Sequence, residues 1–122
     1  MALQESGEMY LETILRLQSE KKVVRSVDVA DEMGYSKASV SRAIKILKDD
    51  GYVDMQEAGN LVLTKQGEAI AKKIYDRHKT LTEFFLQIGV DKKTAEEDAC
   101  RVEHVISDKS FDAIKKMTSK KA

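Results

Sequence analysis

Apolar residues recur at helical spacing along most of the chain and switch once to the two-residue alternation of a strand. Met9, Leu11, Ile14, Leu15 and Leu17 predict a first helix over about residues 6–19, with Ser6 as its N-cap. A second helix is expected over residues 26–33, ended by Gly34, which can take the left-handed conformation. Tyr35 and Ser36 lead into a third, with Ser36 as N-cap, Val40, Ile44 and Leu47 at the buried spacing, and closure at Gly51. Two helices joined by so short a turn make a helix-turn-helix.

Beyond Gly51 the period changes. Tyr52-Val53-Asp54-Met55-Gln56 alternates, Ala58-Gly59-Asn60 turns and Leu61-Val62-Leu63 returns, a hairpin placed where a winged helix carries its wing. Thr64 caps a long helix to about Ile88, with Ile70, Ile74, Leu81, Phe84 and Phe85 on its apolar side, and Gly89 stops it. Asp91 caps a fifth helix expected to run from Lys92 to Ile106. A sixth follows from Ser107 or Asp108 to about Met117, and the terminal Ser119-Lys120-Lys121-Ala122 is expected to fray. The fold class is therefore mainly α: a winged helix-turn-helix domain over residues 1–64, then an all-helical dimerisation domain over 65–122. Ile74, Leu81, Phe84, Phe85, Val102, Val105, Phe111 and Ile114 are more than a lone helix can bury, so a homodimer is expected.

Composition changes this picture little. The chain has 122 residues, 42% of them hydrophobic, enough for one ordinary domain or two small ones. Its formal charge is zero, so any surface suited to nucleic acid must come from local arrangement. A single cysteine excludes an intrachain disulfide framework. The N-terminal stretch is interrupted by Glu5, Glu8, Glu12 and Arg16, which argues against a signal peptide or membrane span and for a cytoplasmic protein with a reduced thiol. No nucleophile–base motif or phosphate-binding glycine loop points to an enzyme.

Local charge is concentrated on the third helix. Lys37, Arg42, Lys45 and Lys48 are followed by no acid until Asp49, and Ser36, Ala38, Ser39 and Ser41 keep its beginning small enough to approach base edges. These residues read as a recognition helix for double-stranded DNA, Arg42 and the serines on bases, Lys45 and Lys48 on phosphates. The plainer alternative, a solvated amphipathic helix, loses ground to the preceding helix and the following hairpin.

A second chemistry lies near the C-terminal end. Cys100, Glu103 and His104, at i, i+3 and i+4 of the predicted fifth helix, put a thiol, a carboxylate and an imidazole on one face. A transition metal takes about four to six ligands, so others must come from elsewhere. Met9 and Glu12 on the first helix and His78 on the long helix are candidates. Taken singly, each has a bland reading: Met9 and Cys100 as packing, Glu12 and His78 as surface.

Together these features resemble the DtxR/MntR family of metal-dependent bacterial and archaeal transcriptional repressors. The resemblance covers Glu8-Met9-Tyr10-Leu11, Ser39-Val40-Ser41, Asp50-Gly51-Tyr52-Val53, Leu63-Thr64, Gly67, Arg77-His78 and Ile88-Gly89-Val90-Asp91. Its most specific stretch runs from Ala99 through Cys100, Glu103 and His104 to Asp108. The resemblance implies a homodimer that binds operator DNA when loaded with a divalent metal. It implies a primary site of Met9, Cys100, Glu103 and His104, and a second of His78, Glu12 and a shared carboxylate such as Glu103. Met9 and Cys100 are similar to the iron-responsive branch, Glu12 to the manganese-responsive one. The iron branch's ancillary site is incomplete, because Thr82 and Glu96 stand at two of its ligand positions and Glu83 lies one residue off. The SH3-like domain of many iron-branch members is also not expected. The soft donors rank Fe(II) first, with Mn(II) as rival. A winged-helix regulator of an organic effector, or a metal-binding protein without a regulatory role, stays open as an alternative.

Overall fold

The computed structural model describes residues 5–120. Among these, six α-helices and one two-stranded antiparallel sheet follow in the order α1 (Glu5–Gln18), α2 (Ser26–Met33), α3 (Lys37–Asp49), β1 (Val53–Met55), β2 (Leu61–Leu63), α4 (Lys65–Gln87), α5 (Lys92–Val102) and α6 (Asp108–Lys120). The chain divides into two compact units, Met1–Lys72 and Lys73–Ala122.

In the first unit the core is the set the periodicity selects. Tyr10, Leu11, Ile14 and Leu17 of α1 pack with Val29 and Ala30 of α2, Val40, Ile44 and Leu47 of α3, and Val53, Leu61 and Leu63 of the hairpin. Gly34 takes φ 72° and its N–H bonds Ala30 O at 2.9 Å, so α2 ends where expected. The Ser36 hydroxyl accepts the Ser39 N–H at 3.1 Å and starts α3. At the start of α2 the Asp28 carboxylate accepts the Arg25 N–H at 2.9 Å. That bond, with Lys21 beside it, holds the Asp28 carboxyl below its ordinary value.

The hairpin pairs Val53 with Leu63 and Met55 with Leu61. Its tip is one turn of 3-10 helix, Glu57–Gly59, with Ala58 at φ 61°. Leu61 N–H bonds the Val24 carbonyl at 2.7 Å, and Asn60 Oδ1 accepts the Val24 N–H at 3.1 Å, so the strap before α2 lies along β2. Thr64 ties the hairpin to α4: its hydroxyl donates to Gly51 O at 2.7 Å and accepts the Gly67 N–H at 3.1 Å.

The second unit has a smaller core of Leu81, Ala99 and Phe111, with Phe85, Val102, Ile106 and Ile114 half-buried around it. Leu86, Ile88, Val105 and Met117 are exposed. Asp91 caps α5 by accepting the Thr94 N–H at 3.0 Å, and Gly89 at φ 99° ends the stretch after α4.

Three expectations need correcting. Ser6 does not cap α1, which already includes Glu5. The last helix reaches Lys120, so Ser119 is helical; Lys121 and Ala122 lie outside the described residues. The fifth helix stops at Val102 rather than Ile106. Val102 O accepts both the Val105 and Ile106 N–H groups at 3.0 Å, which tightens the chain into a turn, and Ser107 begins α6 by accepting the Ser110 N–H at 3.1 Å. Glu103 and His104 therefore sit in the α5–α6 turn, and Cys100, Glu103 and His104 do not share one helix.

Gly67 gives a test of the hairpin–α4 junction. A Cβ there would lie 2.0 Å from the Tyr52 carbonyl oxygen. Gly67→Ala should therefore cost about 3 kcal/mol, the upper part of the overpacking range. Gly34→Ala, which meets no atom and suffers only its left-handed backbone, should cost about 1 kcal/mol. Urea unfolding of the two variants checks the order; an equal loss would mean that the junction is not tightly packed.

Candidate metal centre and nucleic-acid interface

A carboxylate with no contact with water is the centre of the second unit's chemistry. Glu103 is 0% exposed. His78 Nδ1, from α4, lies 2.9 Å from its Oε2, and His104 Nε2 lies 3.3 Å from its Oε1, so each oxygen faces one imidazole. The His104 side chain is fully buried and that of His78 a quarter exposed. Burial pushes the Glu103 carboxyl up, but the bonds from His104 and His78 outweigh it and hold the group below its ordinary value. One buried carboxylate and two imidazoles have the oxygen and nitrogen donors and the charge that a divalent transition metal takes. The residues fit such an ion.

The other proposed donors lie on α5 and α1. Cys100 stands half-buried on the last turn of α5. Met9 and Glu12 belong to α1 in the first unit, where Met9 is half-buried outside the apolar core and Glu12 is buried. Within the second unit, then, His78, Glu103 and His104 come together. Thr82 is half-buried on α4 and Glu96 exposed on α5.

One residue of the resemblance was given no role by the sequence. Arg77 is buried, and its Nη1 donates to the carbonyls of Glu103 at 3.0 Å and Ile106 at 2.8 Å. Its Nη2 pairs with Asp108, and the guanidinium lies 5.5 Å from the centre of the Phe111 ring. The clue was in the spacing: Arg77 stands three residues after Ile74 and four before Leu81, a charge at a buried helical position.

On α3, Lys37, Ala38, Ser41, Arg42, Lys45 and Lys48 are exposed, as is the cap Ser36, while Ser39 is half-buried. Ser36 Oγ donates to Ser39 Oγ at 2.9 Å, and Arg42 Nη2 reaches the same hydroxyl at 3.4 Å. Small and basic groups thus meet at the helix's beginning, with Lys45 and Lys48 further along. Ile46 is exposed among them.

This helix, the helix before it and the hairpin after it define the winged helix-turn-helix class of DNA-binding units. Residues 2–61 match the family described as iron dependent repressor, N-terminal DNA binding domain, and residues 64–121 match its metal binding and dimerisation domain. The chain is 35% identical over 109 residues to the HTH-type transcriptional regulator MntR of Bacillus subtilis, covering 89% of this chain and 77% of that protein. It is 34% identical over 115 residues to an uncharacterized HTH-type transcriptional regulator of Methanocaldococcus jannaschii, covering 93% and 92%. A solved manganese-dependent transcriptional repressor in complex with manganese superposes with a TM-score of 0.84 at 26% identity, over 93% of this chain and 52% of that one. IdeR of T. acidophilum, at 23% identity, shares the fold with a TM-score of 0.80 over 98% and 55%. The chain spans about half the length of these two solved structures. It belongs to the DtxR/MntR family of metal-dependent transcriptional repressors, whose members here are regulators and not enzymes.

The buried carboxylate makes a prediction for the metal-free protein. Because its folded pKa lies below the unfolded value, Glu103 contributes stability that is present above about pH 4.3 and lost as pH falls through the folded value. In chelator, the stability of the natural protein should fall more steeply below that pH than that of Glu103→Gln. Urea titrations from pH 7 to pH 3 measure the difference, and parallel curves would contradict it.

Proposed function

We propose that this protein is a metal-responsive repressor that binds operator DNA as a homodimer in the cytoplasm. The observation that carries the reading is the buried Glu103 carboxylate between two imidazoles, in a chain whose other unit is a winged helix. The exposed apolar residues of the second unit support self-association, and no helix among the described residues is long and apolar enough to cross a membrane. The domain division proposed is 1–64 for DNA binding and 65–122 for metal binding and dimerisation.

His78, Glu103 and His104 would hold the cation, with Cys100, Met9 and Glu12 as further donors. When bound, the ion supplies the positive charge and the multiple bonds that draw acidic and soft side chains to one point. Met9 and Glu12 lie on α1, which packs against α2 and β2, and α2 packs against α3. Fixing α1 therefore acts on the element that carries the recognition helix. Ser36, Lys37, Ala38, Ser39, Ser41 and Arg42 approach the bases, and Lys45 and Lys48 the phosphates. Ligating imidazole and thiol must shed protons, so the response weakens as pH falls.

The thiol and thioether rank Fe(II) first. A second reading, Mn(II), is favoured by the manganese-named relatives and by the hard oxygen of Glu12. The two are separated by Met9→Asp combined with Cys100→Glu, which should move activation from Fe(II) toward Mn(II). An unchanged metal ranking in anaerobic binding would return Met9 and Cys100 to a packing role.

The proposal as a whole predicts that Fe(II) or Mn(II) raises affinity for DNA selected from a random pool at least tenfold over chelator, about 1.4 kcal/mol of coupling. Equal affinity in both conditions would overturn it. On α3, Arg42→Ala should relax discrimination between the selected site and random duplex, at a cost of about 1–3 kcal/mol. Lys48→Ala should weaken both duplexes alike and lower the salt slope by about one. A salt series with both duplexes decides it, and identical effects of the two changes would refute the division of roles.

A further inference from the structure

We infer that Arg77 is a positioning residue for the metal centre: it holds the α5–α6 turn so that Glu103 faces His78. The inference rests on the proposed metal-binding role of Glu103 but concerns a residue that is itself no ligand. Its basis is a set of contacts within the second unit. Glu103 lies just past the last residue of α5, where a helix leaves carbonyls without internal partners. Arg77 Nη1 takes two carbonyls from this turn, Glu103 O at 3.0 Å and Ile106 O at 2.8 Å. Nη2 pairs with Asp108 at the first residue of α6, and Phe111 of α6 lies beside the guanidinium plane. One side chain therefore grips both ends of the segment that carries Glu103 and His104.

The next residue in sequence is His78. Successive residues on a helix point about 100° apart, so Arg77 and His78 leave α4 at one level in different directions. Arg77 holds the backbone of Glu103 while His78 meets its carboxylate at 2.9 Å. Two adjacent residues thus fix the main chain and the side chain of one glutamate. A cation at a helix C-terminus is also favoured by the helix dipole.

The shape of the guanidinium matters more than its charge. Its planar fork reaches two carbonyls and a carboxylate together, whereas the single ammonium of lysine cannot span all three. Asp108 is the more replaceable partner because its side chain is 72% exposed.

The test is Co(II) titration of the purified full chain, read by the absorption of the bound ion, with circular dichroism as the check on folding. Arg77→Gln should weaken Co(II) about 10- to 100-fold and change the spectrum, although every proposed ligand is present. Arg77→Lys should restore little of the loss. Asp108→Ala, which leaves the buried bonds in place and does not threaten the fold, should weaken Co(II) by a few-fold. His78→Ala and Glu103→Gln are run alongside. If the natural protein binds no Co(II), the metal reading itself fails. If Glu103→Gln abolishes binding while folded Arg77→Gln and Asp108→Ala keep the natural affinity and spectrum, only the positioning role is overturned. Should Arg77→Gln not fold, Arg77→Lys and Asp108→Ala decide: natural affinity and spectrum in both would overturn it.

Discussion

A carboxylate removed from water costs several kcal/mol unless its charge is met on the spot, and Glu103 is wholly removed. That constraint organises the second unit. His78 must come from α4 and His104 from the α5–α6 turn, because each oxygen needs its own partner. The turn is in turn held by Arg77. Leu81, Ala99 and Phe111 form a buried apolar cluster beside this polar centre, and Ile74 and Ala95 are buried as well. Apolar packing holds the helices of this unit together, and the polar contacts of Arg77 and Glu103 fix where the turn lies.

The first unit has the larger apolar core. Its core runs from Tyr10 to Ala71 and draws on every α-helix and strand of the unit. The burial of α1 is the pivot, since Leu11 and Ile14 are completely covered. The same helix carries Glu12, a buried acid, next to Leu11. One of the proposed metal donors thus sits on a helix that the core of the unit holds in place.

Helix positions were legible wherever apolar spacing and a cap agreed. Ser36, Gly34, Thr64 and Asp91 mark boundaries by chemistry that acts within a few residues, so α2 and α3 could be read directly from the chain. The end of α5 was not, because the carbonyls of Glu103 and Ile106 are satisfied by Arg77, 26 and 29 residues upstream. Local periodicity carries no record of such a partner. The same gap made the Cys100, Glu103 and His104 spacing look like one helical face, whereas Cys100 stands on the last turn of α5 and the other two lie just past its end. The recognition helix shows the opposite case: its charges are exposed because nothing within the unit needs them, which composition along one helix can reveal.

Which donors can vary follows from what each does for the fold. The side chains of Glu103 and His104 are buried side by side in the turn, and Glu103 also meets His78 of α4, so exchanging either disturbs the turn as well as the chemistry. Met9 and Cys100 are half-buried and lie outside both apolar cores. Replacing a thioether or a thiol there changes donor softness at small cost to packing. In the proposed function the fold therefore fixes the nitrogen and oxygen donors that suit either metal and leaves the discriminating sulfur positions free to differ. Metal preference can shift within this architecture without first solving a stability problem, because the residues that set it are not those that hold the turn.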